Sequence, residues 1–245
     1  MTYKHYPDHN VQVTFDETEK NAQTFIPILQ WLQTTSLTHA VTTPVVINEN
    51  QIRDFWNSAE FATDANGVGF IAANVSNEDI IIYEQTVREV LQLNDNVDQS
   101  INFTMDRLRH IFISDLLYQA QQGDIQEFHK VRMPFEYRFI VHIVMGCLSP
   151  RRGGQSKVSR EYANMMVAIL YRLPYNFSRM IFRGMRGNID AKDKFLMYPR
   201  FLQMIISHLL PDTPTQGNTL VQTRPNVFGT TKKVTKNSVY VVPLN

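Results

Sequence analysis

The spacing of apolar residues in this chain changes only once, and that change limits the folds open to it. Residues 68–75 and 79–83 are β-rich runs separated by Ser76-Asn77-Glu78, a pattern typical of a β-hairpin. On both sides of this stretch, apolar residues recur three and four positions apart, as in amphipathic helices. The pattern predicts a mainly α, multi-helix domain with one β-hairpin.

Polar capping residues and prolines set the expected helix boundaries. Asn48-Glu-Asn-Gln51 has the form of a capping box before a helix over 52–62. Thr104 is the expected N-cap of a helix over 105–120, and Asn176 that of a helix over 177–187. Pro134 suits the first turn of a helix that runs to Leu148. Other helices are predicted over 25–33, 84–93, 159–173 and 193–210, and Pro199 is expected to kink or split the last of these.

Both ends of the chain are polar and lack a regular apolar spacing. Residues 1–20 are therefore predicted to be a flexible arm, and residues 211–245 a flexible basic tail. Between them, residues 21–210 are expected to form a single mainly helical domain. No period typical of repeat proteins is present.

The net charge of +1 conceals two oppositely charged halves. Residues 1–130 contain 18 acidic and seven basic residues, a net −11, whereas residues 131–245 contain five acidic and 17 basic residues, a net +12. Such a division indicates a polyanionic partner for the basic half, or association between copies of the chain. Neutralisation of the two halves inside one fold is the alternative.

A single cysteine, Cys147, excludes an internal disulfide framework and a zinc site with several cysteines. The apolar runs are too short for a membrane span, and the polar amino terminus is unlike a secretory signal. We therefore expect no membrane partner and a cytoplasmic or nuclear location. No cofactor or small-molecule substrate is indicated.

One group of residues has the side chains of a hydrolase triad. Asp106, His110 and Ser114 lie four positions apart on one predicted helix and share a face. Hydrolase nucleophiles instead occupy strained turns beside an oxyanion hole. We interpret the three residues as a solvated helix face.

Residue types used in metal binding and catalysis occur at three other places in the sequence. Asp124, Glu127 and His129 lack the spacing of a metal site and are interpreted as a polar linker. His142, within an apolar run, is predicted to be a buried, hydrogen-bonded core histidine. Cys147 is predicted to be a small buried hydrophobic residue.

The basic half contains candidate phosphate ligands. Arg179, Arg183 and Arg186 form a stripe along one face of a predicted helix. Arg151 and Arg152 lie in a glycine-containing loop, where guanidinium and backbone N–H groups can meet a phosphate. Tyr171, Tyr175 and Phe182 are candidates to stack on unpaired bases, and Lys232, Lys233 and Lys236 add charge in the tail. A solvated basic face is the alternative interpretation.

Five segments together resemble the gag-like region of plant LTR-retrotransposon polyproteins and of host-genome copies derived from them. The similarity extends over about residues 25–210. The segments are FWNSAEF (55–61), IIIYEQTVREVLQLND (80–95), PFEYRFIVHIVMGCLSPRRGG (134–154), NFSRMIFRGM (176–185) and KFLMYPRFLQMII (194–206).

The resemblance implies a non-catalytic protein that self-associates and binds RNA. Gag proteins usually carry a Cys/His zinc knuckle, which a chain with one cysteine lacks. The leading hypothesis is therefore a gag-like structural protein, in which an acidic face (Glu78, Asp79, Glu84, Glu89) meets the basic face of a neighbour. The alternatives are a single-stranded nucleic-acid-binding protein that uses the basic residues above, and an enzyme that uses His110 or His142.

Overall fold

Helices make up most of the ordered elements in a computed structural model of the chain, which describes residues 3–14, 22–95, 98–121, 127–153, 156–213 and 217–222. The helices are α1 (Ala22–Gln33), α2 (Thr38–Thr42), α3 (Glu49–Ser58), α4 (Glu84–Val90), α5 (Met105–Ser114), α6 (Phe135–His142), α7 (Arg160–Tyr171), α8 (Phe177–Ile189) and α9 (Pro199–Leu209). The strands are β1 (Glu60–Thr63), β2 (Gly69–Val75), β3 (Glu78–Tyr83), β4 (Phe128–His129) and β5 (Lys157–Val158). The protein is mainly α.

The three predicted N-caps are confirmed. The side chains of Asn48, Thr104 and Asn176 accept hydrogen bonds from the backbone N–H groups three residues later, at 3.1, 3.3 and 2.7 Å. In a capping box, the side chain of Gln51 would accept from the backbone N–H of Asn48. Here that N–H donates instead to Oε1 of Gln203 on α9. A contact distant in the sequence thus completes a local capping motif.

Several predicted helix boundaries are wrong. Helix α5 ends at Ser114 rather than at residue 120, and Leu117 follows it with a φ of +52°. Pro199 begins α9 at its first turn instead of kinking a longer helix, since a proline is tolerated where the N–H has no helical partner. After α6, the chain continues as a π-helical segment, Ile143–Leu148, so the helix predicted to reach Leu148 does so with a change of winding.

The predicted hairpin is formed by β2 and β3, which pair antiparallel with Ile71 opposite Ile82. A third strand, β1, pairs antiparallel with β2 where the sequence predicted the end of a helix. The reason lies in the β1–β2 turn: Oδ1 of Asp64 accepts from the N–H groups of Asn66 and Val68, both at 2.9 Å, and Gly67 adopts a φ of +79°. Asn-Gly is a strong hairpin signal, and it marks this turn.

The acidic and basic halves of the sequence pack against each other. Helix α4, from the acidic half, contacts both α8 and α9, while α5 contacts α7 and α3 contacts α9. The buried apolar residues of these elements form one continuous cluster. The division of charge along the sequence is therefore not a division into separate packing units among the described residues.

Residues 3–14, which were expected to belong to a flexible arm, pack into the core. Tyr3 and Val11 are buried, and the Tyr3 hydroxyl donates to the carbonyl of Trp56 at 2.7 Å. Oδ1 of Asn10 accepts from the backbone N–H groups of Arg200 and Phe201, at 3.0 and 2.9 Å, and so caps α9. These polar residues satisfy a buried helix end, which the lack of apolar spacing could not reveal. The remainder of the predicted arm, residues 1–2 and 15–20, lies outside the described residues.

A short part of the predicted C-terminal tail also contacts the core. The backbone N–H of Leu220 donates to the carbonyl of Ile47 at 2.9 Å, and Nε2 of Gln222 donates to the carbonyls of His9 and Asn10. The tail beyond residue 222 lies outside the described residues. Among the helices of the described ranges, none combines the length and apolar character that a membrane crossing requires.

A candidate nucleic-acid interface

Helix α8 presents the predicted arginine stripe on its outer face. Its apolar residues, among them Ile181, Phe182 and Met185, are buried, which fixes the rotation of the helix. Arg183 and Arg186 are consequently exposed, and Arg179 is half-buried. The predicted stripe is thus on one side of α8, but its members have different surroundings.

Arg179 is held by carboxylate and carbonyl groups of the acidic half. Its Nε donates to Oε2 of Glu84 at 3.0 Å, and its Nη1 donates to the carbonyl of Asp98 at 3.1 Å. Arg88 donates to the same Glu84 at 2.7 Å and to Oδ1 of Asp95 at 3.0 Å. Arg179 therefore belongs to an ion-pair network that joins α4 to α8.

The network is partly removed from water. Burial alone would raise the pKa of Glu84, but hydrogen bonds from Arg179, Asn176 and Arg88 together lower it. The buried Asp95 also accepts from the backbone N–H and the hydroxyl of Ser178, at 2.6 and 2.7 Å. Glu84, one of the four residues expected to form an acidic face toward a neighbour, is thus used inside the molecule.

Arg186 is supported by an aromatic ring. Its guanidinium carbon lies 3.9 Å from the centroid of the Phe61 ring on β1. The ring has room there because position 69 on β2 is a glycine, and an added Cβ would lie 2.8 Å from Cζ of Phe61. A guanidinium over a ring keeps its N–H edges available to an anion.

The two loop arginines are supported in the same way. The guanidinium carbon of Arg151 lies 5.5 Å from the Tyr162 ring, and that of Arg152 lies 5.5 Å from Phe195 and 5.9 Å from Tyr6. Arg152 also lies 3.9 Å from Oδ2 of Asp193, a pair whose side chains are 39% and 83% exposed. Exposed pairs of this kind contribute little to stability.

The loop that carries these arginines packs directly on α8. A Cβ added at Gly184 would lie 3.0 Å from Cβ of Pro150 and 3.1 Å from Cε2 of Tyr198, so glycine permits the close approach. An open cleft of about 320 Å³ lies beside this contact. Its lining consists of Pro150, Arg151, Arg152, Gly187, Asn188, Ala191, Asp193, Phe195 and Met197.

His9 joins the loop of Arg151 and Arg152 to the start of α9 through two hydrogen bonds. Its Nε2 accepts from the backbone N–H of Tyr198 at 2.9 Å, which leaves Nδ1 to donate to the carbonyl of Arg151 at 3.2 Å. Burial lowers the pKa of His9 to about 4, so the imidazole is neutral at neutral pH. A neutral histidine thus joins the first described segment, the arginine loop and the start of α9.

Some charge of the basic half is structural. Arg200 is 1% exposed, and it donates to the carbonyls of Thr43, at 3.1 Å, and Ala40 at the end of α2. Cations are favourable at a helix C-terminus, where carbonyl groups lack helical partners. Arg200 is therefore unavailable to a partner.

The residues with triad-like side chains lie on the surface of α5. Asp106, His110 and Ser114 are all exposed, and Asp106 accepts from Nη1 of Arg109 at 3.1 Å. This placement agrees with a solvated helix face.

Glu127 pairs with Nζ of Lys157 at 3.0 Å, and Asp124 lies outside the described residues. Within the described ranges, no three His, Cys, Asp or Glu side chains are grouped as a metal site would need.

His142 differs from its prediction as a hydrogen-bonded core residue. It is only half-buried, and among the described residues its buried Nε2 has no hydrogen-bond partner. Burial and the charge of Lys130 lower its pKa to about 4.

Cys147 is fully buried, which raises the pKa of its thiol to about 12, as expected of a residue that packs like a small hydrophobic group.

The aromatic residues predicted to stack on bases have other contacts. Phe182 is buried, the hydroxyl of Tyr171 donates to Asp115 at 2.9 Å, and the ring of Tyr175 lies 4.7 Å from that of Phe177. The rings beside the arginines are instead Phe61, Tyr162, Tyr6 and Phe195. Of the predicted site residues, Arg151, Arg152, Arg183 and Arg186 are exposed, and Lys232, Lys233 and Lys236 lie outside the described residues.

Comparison with known proteins adds no relative to this description. No family model, no curated protein and no solved structure matches the chain. The resemblance to gag-like regions accordingly stays a hypothesis.

Proposed function

We propose that this chain is a non-catalytic, gag-like protein that binds single-stranded nucleic acid through the cleft and the arginines around it. The observation that carries the proposal is the support of Arg151, Arg152 and Arg186 by aromatic rings. A ring restricts a guanidinium without neutralising it, so less side-chain freedom is lost when a phosphate binds.

The size of the cleft favours a single strand over a duplex. A volume of about 320 Å³ lies at the small end of the range for ligand pockets and suits one nucleotide-sized group. Single-strand binding proteins combine a basic groove with surfaces on which individual bases can lie. The cleft offers both, because Arg151 and Arg152 share its lining with Gly187 and Ala191, which are small and not buried.

The test is the affinity of matched double variants for a labelled single-stranded RNA of about 12 nucleotides, a length within the usual range of site sizes. Arg152→Gln/Arg183→Gln removes two exposed charges at the interface. Arg107→Gln/Arg172→Gln removes two charges outside it. We expect only the first pair to weaken binding and to reduce the slope of log K against log[salt] by about 0.7 for each lost phosphate contact. Equal losses in both variants, or no salt-dependent binding by the natural chain, would refute the proposal.

Self-association is a second candidate function, favoured by the outer face of the β1–β3 sheet. Ile81 is 49% exposed on that face, and the rings of Phe70 and Tyr83 lie 5.7 Å apart beside it. Glu78 and Asp79 are exposed at the start of β3, the strand that contains Ile81. An apolar surface with an acidic border fits the basic face of a second copy.

Light scattering over a range of protein and salt concentrations tests this second candidate. Ile81→Lys should reduce the measured mass, whereas Val46→Lys, at an exposed valine elsewhere, should not. A monomer under every condition would eliminate self-association through this face.

A further inference from the structure

Gly187 is a glycine that neither packing nor backbone conformation requires. It lies in the last turn of α8 with an ordinary helical conformation, and a Cβ added there would meet no atom within 4 Å. Glycine destabilises a helix relative to alanine, since it loses more backbone freedom on folding. Gly184, in the same helix, differs because its missing Cβ admits Pro150 and Tyr198.

The position of Gly187 supplies a reason for its presence. It lines the cleft together with Ala191, which follows the end of α8, and Arg183 lies one turn before Gly187 on the same face of the helix. Phe195 and Met197, both nearly buried, and the exposed Arg151 and Arg152 also line the cleft. Gly187 and Ala191 thus form a small apolar floor in the lining of the cleft, which also contains the guanidinium groups of Arg151 and Arg152.

A nucleotide unit has the matching chemistry, with an anionic phosphate at one end and a flat base at the other. We propose that Gly187 keeps the floor of the cleft open for one base of a single strand, while the adjoining phosphates are bound by Arg152 and Arg183. This inference rests on the proposed function and specifies where the strand lies. Asp193, paired with Arg152, is the carboxylate that lines the cleft, and it partly offsets the charge there.

Such a role makes an unusual prediction, because one substitution should improve folding and impair binding. Gly187→Ala should raise the melting temperature by about 2–4 °C, the shift expected when a helix gains one favourable residue in a protein of this size. The added methyl group should lower the affinity for the labelled single-stranded RNA by about fivefold or more, as expected when a stacked base is displaced. Ser114→Ala, at an exposed helical position on α5, is the matched control and should leave binding unchanged.

The outcomes separate this inference from the function on which it rests. If Arg152→Gln/Arg183→Gln weakens binding while Gly187→Ala binds as tightly as the natural chain, the strand does not lie over Gly187 and the inference is wrong. If neither variant alters binding, the proposed function itself fails. Ala191→Leu, which adds bulk at the same floor without changing Gly187, should reproduce the loss of affinity, and unchanged binding by this variant would also overturn the inference.

Discussion

The two ends of α8 hold their arginines in opposite ways. Near the start of the helix, Arg179 shares Glu84 with Arg88, so that carboxylates of the acidic half take up the charge. Near its end, Arg186 lies on the ring of Phe61, and Arg152 across the cleft lies on Phe195. Partly buried ion pairs commit Arg179 to the fold, whereas ring support orients Arg152 and Arg186, and the one ion pair among them, Arg152 with Asp193, is exposed and weak. This difference is the reason for placing the proposed interface at the second end.

The largest expected effect lies in the ion-paired region. Asp95→Ala should lower the free energy of unfolding by about 3–5 kcal/mol, because it leaves the N–H and hydroxyl of Ser178 without their buried acceptor and removes one of the two carboxylates that pair with Arg88. Urea denaturation measures this change. RNA affinity, measured under conditions where the variant is folded, should stay within twofold of the natural value, about 0.4 kcal/mol. A variant that folds normally but loses RNA would invert the assignment of the two regions.

Acidification should lower the free energy of unfolding through His9, which holds the loop of Arg151 and Arg152 beside the ring-supported end of α8. The pKa of its imidazole is about 4 in the folded chain and about 6.5 when unfolded. Between these values the unfolded chain binds more protons, so stability is complete above about pH 6.5 and falls as the pH drops toward 4. The loss attributable to His9 is about 3 kcal/mol.

His142, with a similarly lowered pKa, should add to the same pH dependence. Urea unfolding between about pH 4 and 7 covers the folded and unfolded pKa values of both histidines. The natural chain is therefore compared with a His142→Leu variant. That variant should retain the contribution of His9 and show roughly half the slope of stability against pH. A flat profile in it would exclude His9 as the cause.

Arg179→Ala and Arg183→Ala compare the two types of arginine on one helix. Arg179→Ala should destabilise the fold by about 1 kcal/mol, since a half-exposed ion pair and its hydrogen bonds are lost, and should leave RNA affinity unchanged. Arg183→Ala should change stability by less than about 0.5 kcal/mol and weaken RNA binding. Thermal unfolding and fluorescence titration of both variants check this, and identical behaviour would contradict the distinction.

The smallest effect concerns the ring beneath Arg186. Phe61→Leu keeps an apolar side chain but removes the aromatic face, so RNA affinity should fall by about 0.5–1 kcal/mol, or two- to fivefold. The same substitution in an Arg186→Gln background should have no further effect on binding, which a double-mutant cycle measures. Additive losses would show that the ring acts on binding by another route.

Local signals allowed much of the secondary structure to be predicted. Asn48, Thr104 and Asn176 act within three residues of themselves, and the β2–β3 hairpin depends on neighbouring residues. Strand β1 differs from the predicted helix end although Asn66-Gly67 signals its turn, because the apolar spacing of the preceding helix continues through Phe61. The mainly α character follows from such local patterns.

The site depended on contacts that local patterns do not contain. The arginines could be identified by their spacing, but their rings could not: Phe61 and Arg186 are distant in the sequence, as are Tyr6 and Arg152. The division of charge into halves likewise gave no indication that Glu84 pairs with Arg179. Net charge along a chain describes its partners only after the internal pairs are known.

The cap that Asn10 places on α9 has a consequence for the order of folding. Its side chain and the N–H of Arg200 are 190 positions apart, so this contact cannot form until α9, the last described helix, has been synthesised. At ribosomal rates the synthesis of 190 residues takes roughly 10–40 s, during which Oδ1 of Asn10 lacks its donors on α9. Contacts of such high sequence separation slow folding, so we expect the cap on α9 to form late.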